Sequence, residues 1–523
     1  MMMNKLVSFA AVMLAGAYAG DTAAWKQRSV YQVLTDRFGR SDGSTNACSS
    51  LSNYCGGNYQ GMIDHLDYIQ GMGFDAIWIS PIVDNIDGGY HGYWARNWEG
   101  LNTNFGSADD LKALVSAAHE KDIWVMVDVV ANHVAPIGND FSQIYPLNKS
   151  EHYHNDCDIN WNDQNSVENC RLAGLPDLDQ GNSYVRGYLK DWIKNIVSEY
   201  EFDGIRIDTI PEVPADFWSE YGESAGVFQM GECFNGDPAY VGPYQDHLTA
   251  LFNYPMYYTI SDVFGASKSM YGIRDRYNQE ESHFKDIDAL GVFVDNHDNA
   301  RFLHNHNGNK SGLRSAVTFA LTSRGIPFTY YGSEQYYAGG NDPQNRESLW
   351  QDMNTSSDLY QMIAKIHAQR KASEIWNQEF VERYVEDNFY AFSRGEFLVA
   401  LTNQGNDKEV KVTYTPFQEG ETVCNIFYPT SDCQTVQGGV DVFLSGGESK
   451  IYVPQSKLAD FSGLDVSGVE SGKCCMTACQ ETSECGSNLF CCPYHHVCMD
   501  RTTSSTVGPN CDACNSIPEE FLQ

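Results

Sequence analysis

The stretch GIRIDTIPE, Gly204 to Glu212, decides how the chain is read. Ile205 and Ile207 alternate with Arg206 and Asp208, and a period of two places the isoleucines on one face of a strand and the two ions on the other. The strand then runs into Pro211, which has no N–H for a ladder. An apolar face opposite an ionic one predicts a strand that packs on one side and lines a polar site on the other.

Working outward, similar β-rich runs recur at 29–34, 74–80, 124–130, 227–232, 250–254, 291–296 and 327–332. Between them lie segments such as 109–121 and 184–200, whose apolar residues return every three or four positions, the period of a helix packed on one face. Eight strands, each followed by a helix, predict an α/β fold of the (β/α)8 TIM-barrel type, with an open doubly wound sheet as the alternative. The expected barrel occupies 20–133 and 183–375. The interval 134–182, rich in Asn, Asp and His, breaks the rhythm after the third strand and reads as an excursion domain. From 376 to 457 alternating strands without helices predict a C-terminal antiparallel β-sandwich domain. A Ser/Gly-rich linker over 458–472 leads to a small disulfide-rich tail module, 473–523.

The 523 residues carry a net charge of -35. Phosphate binding needs clustered Lys and Arg, so nucleic acid is excluded as the expected partner. Aromatic residues make up 13% of the chain, which suits stacking on neutral rings. Residues 1–19 combine Lys5, an apolar run and Ala17-Tyr18-Ala19, the pattern of a secretory signal, and no later run is long enough to span a membrane. A secreted protein is expected, with neither a membrane nor a second copy as partner. Asn148, Asn309 and Asn354 begin glycosylation sequons. Of 16 cysteines, Cys48/Cys55, Cys157/Cys170 and Cys424/Cys433 look like local staples; nine crowd into the tail and Cys233 stands apart. An oxidising compartment favours disulfides over metal in that tail, with connectivity open.

The strand ends hold the chemistry. The third strand leads to Asn132 and His133, the fourth to Arg206 and Asp208, the fifth to Glu232, and the seventh to His297 and Asp298. Strand ends of one barrel converge on one mouth. Three carboxylates there suffice for glycoside hydrolysis: a nucleophile, an acid/base, and one to grip the sugar. Arg206 beside Asp208 would keep that carboxylate ionised. The plainer alternatives are an ion-pair network at the barrel mouth, satisfied core histidines, and a simple Asp342–Arg346 salt bridge.

DVVANH (128–133), GIRIDT (204–209), GE (231–232) and FVDNHD (293–298), in this order, resemble the four signature regions of the α-amylase family of glycoside hydrolases, and LPDLD (175–179) resembles its fifth. GYHGYW (89–94) and GGNDPQNR (339–346) add a likeness to secreted fungal-type members, so that the resemblance spans roughly 25–455. It implies Asp208 as nucleophile, Glu232 as acid/base and Asp298 as the third carboxylate. It places Tyr93, Trp94, His91, His133, Arg206, His297, Asp342 and Arg346 around the sugar. It also implies Ca2+, held by Asn132, Glu168, Asp177 and the main-chain carbonyl of Glu212.

The implied activity is a calcium-dependent, retaining endo-hydrolase of α-1,4-glucosidic bonds in starch, glycogen and maltooligosaccharides. Pro211-Glu212 departs from the usual Lys-His of fungal-type relatives and removes a donor on the leaving-group side. Two alternatives therefore stand beside it: a 4-α-glucanotransferase or maltooligosaccharide hydrolase of the same family, and a non-catalytic glucan-binding protein. Thr209-Ile-Pro-Glu212 also has the form of a capping box that would open the next helix. Cys233 reads as a small buried filler.

Overall fold

The computed structural model describes residues 21–461 and, in the tail, the backbone of three short strands, Cys474–Ala478, Leu489–Cys491 and Val497–Asp500. The signal segment, the linker beyond residue 461 and the cysteine pairing of the tail lie outside the described residues.

Eight strands form one sheet: β1 (Val30–Gln32), β2 (Ala76–Ile79), β3 (Trp124–Val129), β4 (Gly204–Ile207), β5 (Phe228–Gly231), β6 (Ala250–Leu251), β7 (Gly291–Val292) and β8 (Ile326–Tyr330). Their order is β6-β5-β4-β3-β2-β1-β8-β7, all pairs parallel. A single parallel bridge, Phe252 to Gly291, closes the ring between β6 and β7. The expected barrel is present, with each of its strands inside a run marked by the sequence or within one residue of it.

Alternation sorts the side chains. Ile205, Ile207, Val125 and Val127 point outward into the large core shared with the helices, whereas Trp78, Met126, Phe228, Met230, Phe252 and Phe328 fill the barrel. Register sets Met126 opposite Gly204 and Asp128 opposite Arg206, so the interior turns from apolar to ionic along the strand direction. Gly204 is required at the apolar end, because a Cβ there would come within 2.7 Å of the Trp25 ring, which stacks on Phe228.

The helices bury one face each. Helix Ala108–Glu120 starts at a capping box in which Ser107 and Asp110 exchange bonds, and it buries Leu111, Leu114, Val115 and Ala118. His119 in its last turn reaches Asp203 Oδ2 at 2.8 Å, and the same oxygen accepts from Val125 N, so one carboxylate ties this helix to β3 and the start of β4.

Between β3 and helix Ser183–Tyr200 the chain makes only short turns and the one-turn helix Gln164–Val167, stapled by Cys157–Cys170. Bridges His133–Asp177 and Tyr153–Leu178 fold it back on itself. Beyond the barrel a six-stranded antiparallel sheet, beginning with Phe380–Glu386, and a two-stranded one, Lys408–Val412 with Val440–Leu444, enclose a separate core of Phe389, Leu398, Val410 and Val442. Cys48–Cys55 and Cys424–Cys433 are bonded as expected.

Candidate active site

Arg206, on the inner face of β4 and almost wholly buried, is the hub of the barrel mouth. Its Nη1 donates to Asp208 Oδ1 at 2.7 Å and to Asp128 Oδ1 at 3.0 Å, and its Nη2 reaches Glu232 Oε2 at 2.8 Å. Burial alone would depress this guanidinium, but Asp128 and Glu232 outweigh it and raise it well above its ordinary value. A single cation thus faces three buried carboxylates, and the excess negative charge appears at Asp128, which burial raises to about 7, and at Glu232. Burial, with Asp298 and Asp208 nearby, pushes Glu232 well above the usual carboxylate range against the pull of Arg206.

The remaining bonds fix these groups in place. Thr209 Oγ1 donates to Asp208 Oδ2 at 3.2 Å, and Thr209 N to Glu232 Oε2 at 3.3 Å. Thr209 achieves both only in the left-handed region, at φ 47° and ψ 55°, a strained conformation for a β-branched residue. The capping box expected at 209–212 is therefore absent: the Thr209 side chain makes no cap bond, and the next helix, Ala215–Ala225, begins after Pro214. The site's demand on the Thr209 N–H overrides the local pattern.

On the other side, Asp128 Oδ2 accepts from Trp78 Nε1 at 3.1 Å and Tyr93 Oη at 2.7 Å. Tyr93 Oη meets His297 Nε2 at 2.7 Å, and Gln32 Nε2 lies 2.7 Å from His297 Nδ1. Gln32 donating to Nδ1 leaves the proton on Nε2, so the chain runs Gln32, His297, Tyr93, Asp128 with every proton assigned. Burial holds His297 and His91 well below the ordinary histidine value, and His133 below it, so all three are neutral. His91 stacks on Tyr93, Trp94 packs against His91, and the buried Nε2 of His133 has no protein partner.

Asp298 is the most open of the three candidate carboxylates. It stands 3.4 Å from His297 Nε2 and 3.6 Å from Arg346 Nη2. Arg346 also pairs with Asp342 at 3.2 Å and donates to the His297 carbonyl at 3.0 Å. Beneath the carboxylates lies a small cavity lined by Gln32, Trp78, Arg206, Glu232, Tyr254 and Asn296. Sequence reasoning assigned no role to Asp128, Tyr254, Asn296, Gln32 or Trp78, although Asp128 opens a quoted motif and shares the inner face with Arg206.

The family model described as the α-amylase catalytic domain matches residues 32–391. The chain belongs to the α-amylase family. It is 39% identical over 498 residues to α-amylase 2 of Schwanniomyces occidentalis, covering 88% of this chain and 97% of that one. The solved structure of an α-amylase from Malbranchea cinnamomea shares a TM-score of 0.81 and 38% identity, covering 85% of this chain and 99% of that one. An α-amylase from Geobacillus thermoleovorans, solved in complex with acarbose, gives a TM-score of 0.74 at 31% identity, over 82% and 98% of the two chains. This α-amylase family member is a glycoside hydrolase.

The calcium expected in the family can be tested against the residues that would hold it. In this chain the Asn132 carboxamide faces the Glu212 carbonyl oxygen at 3.0 Å and Asp177 Oδ1 at 2.9 Å. With its nitrogen turned that way Asn132 donates to both. With its oxygen turned that way three oxygens confront one another, which a hard cation would reconcile. Burial raises Asp177 to about 7 against the pull of His154, whose Nδ1 lies 2.6 Å from Asp177 Oδ2. These three groups fit the ion. The Glu168 carboxylate accepts from Gln164 at 2.9 Å, and Gln164 in turn donates to the carbonyl of Pro211, the residue before Glu212. Among the described residues no three His, Cys, Asp or Glu side chains are grouped to hold a metal, so the set leans on neutral oxygens.

The Cys233 thiol is fully buried and burial pushes it well above its ordinary value, so it fills space beside Glu232 and is not a nucleophile.

Proposed function

We propose that the chain is a secreted, calcium-dependent α-amylase that cleaves internal α-1,4-glucosidic bonds of starch, glycogen and maltooligosaccharides with retention. One observation carries this: Asp208 and Glu232 share the two ends of a single guanidinium, and burial raises Glu232 well above its normal range, which favours its proton-bearing form. A proton-bearing carboxyl beside a second carboxylate is the pairing that a two-step displacement needs.

Asp208 attacks the anomeric carbon while Glu232 gives its proton to the leaving oxygen. Glu232, now ionised, takes a proton from water, and that water displaces Asp208, so two inversions return the α configuration. Asp298, backed by Arg346, grips the ring hydroxyls. Neutral His133 and His297, with Tyr93, Trp94 and His91, line the sugar at the cleavage point, and Asp342 with Arg346 extends the glycone side. Asn132, Asp177 and the Glu212 carbonyl, with Glu168 as the remaining expected ligand, would hold calcium, whose charge would lock the excursion to the loop after β4.

The test is a time course on maltoheptaose, with and without chelator, beside Glu232→Gln. Short products appearing together, fewer under chelation and none from the variant, are expected. Near-wild-type turnover in Glu232→Gln would sink the acid/base assignment. Pro211 supports a second reading, transfer to another sugar, which products longer than the substrate would reveal.

A further inference from the structure

Two buried neighbours of Glu232 have no part in the mechanism above. Tyr254, in the first turn of helix Tyr254–Ile260 just beyond β6, is 1% exposed and donates from Oη to Glu232 Oε1 at 3.0 Å. Its ring is wedged among Phe234, Tyr257 and Phe293, with centroids at 4.6, 5.9 and 5.1 Å, so the hydroxyl cannot swing away. Behind it Asn296 Nδ2 donates to Tyr254 Oη at 2.9 Å.

The direction of that second bond is forced. Asn296 Oδ1 already accepts from Asp298 N at 3.2 Å, Asn299 N at 3.0 Å and Asn299 Nδ2 at 2.9 Å, so its nitrogen must face the phenol. A phenol oxygen that accepts a hydrogen bond from Asn296 keeps its own O–H to donate to Glu232. We propose that Tyr254, oriented by Asn296, is a positioning residue that stabilises the ionised form of Glu232 and thereby sets the alkaline edge of activity.

This rests on the reading of Glu232 as the acid/base. The other charged groups facing Glu232 are Arg206 and Asp208 from β4 and Asp298 after β7, with Asp128 from β3 across Arg206. Arg206 and Thr209 N both serve Oε2, which leaves Tyr254 as the protein donor to Oε1. Burial drives Glu232 towards its protonated form, and a donor bond to the carboxylate opposes that drive. Such a bond keeps Glu232 competent as a base after the leaving group has departed.

Tyr254→Phe keeps the ring and removes the donor. The alkaline limb of kcat/KM on maltoheptaose should then move up by about one pH unit, the size of one hydrogen bond to a charged group. At neutral pH kcat should fall while KM holds, because Tyr254 is too buried to meet the sugar. Tyr257→Phe, in the same aromatic cluster, should leave the limb in place. An unmoved or lowered limb in Tyr254→Phe, whatever its melting temperature, overturns the proposal provided that Glu232→Gln is inactive. Retained turnover in Glu232→Gln instead removes the reading on which it rests.

Discussion

At the scale of single residues, the site is organised by one guanidinium. Arg206 bonds to three carboxylates from three strands or their ends, so removing it leaves Asp128, Asp208 and Glu232 buried without their shared cation. Breaking a buried ion pair from one side costs about 3–5 kcal/mol. Arg206→Met should therefore lower stability to urea by at least that order as well as abolish turnover; a loss under about 1 kcal/mol would show that the carboxylates are not dependent on it. Much of this was legible beforehand, since alternation in GIRID already put Arg206 and Asp208 on one face. Asp128 was missed although WVMVDV alternates in the same way, because its partner is set by register between strands and not by anything within one. Tyr254 was illegible for a different reason: an aromatic at a strand end announces core, and only the neighbouring Asn296 turns its hydroxyl into a tool. Thr209 shows the limit of local patterns, its T-x-x-E form being overridden by two tertiary bonds that require a left-handed backbone.

At the scale of elements, helices and strands were found by period, and what sequence left open was how they are fastened. The His119–Asp203 pair is one such fastening, binding helix Ala108–Glu120 to the lower ends of β3 and β4. The Asp203 bond raises His119 above its ordinary value despite partial burial. A base whose folded value is raised adds stability that is complete below about pH 6.5, the unfolded value, and fades as pH climbs through the folded one. The gap in unfolding free energy between wild type and His119→Ala should thus be wider at pH 5.5 than at pH 8.5, and small, under about 1 kcal/mol, because the His119 side chain is 32% exposed to solvent. A gap that grew with pH would contradict the assignment. Glu168 marks what element-level reading could not supply: it caps a one-turn helix in a segment without periodicity, where no pattern fixes which way a carboxylate turns.

At the scale of the whole molecule, the excursion meets the barrel where Asn132, Asp177 and the Glu212 carbonyl converge, three chain regions joined by oxygens. Calcium at about a hundred times its dissociation constant would add about 2.7 kcal/mol to the folded state. The melting temperature should rise with calcium concentration and drop under chelator; a melting curve indifferent to both would exclude the ion. The barrel itself was foreseeable from eight runs in order, but its closure was not. β6 and β7 are two residues long and meet through one bridge, Phe252 to Gly291, whereas β3 and β4 share four register pairs. A hoop is as strong as its clasp. Within the ring, the amides along that seam have the fewest ladder partners, so among the barrel's strand pairs amide exchange should be fastest there. The seam adjoins Tyr254, and so the least-braced joint of the ring lies beside the hydroxyl that steadies Glu232.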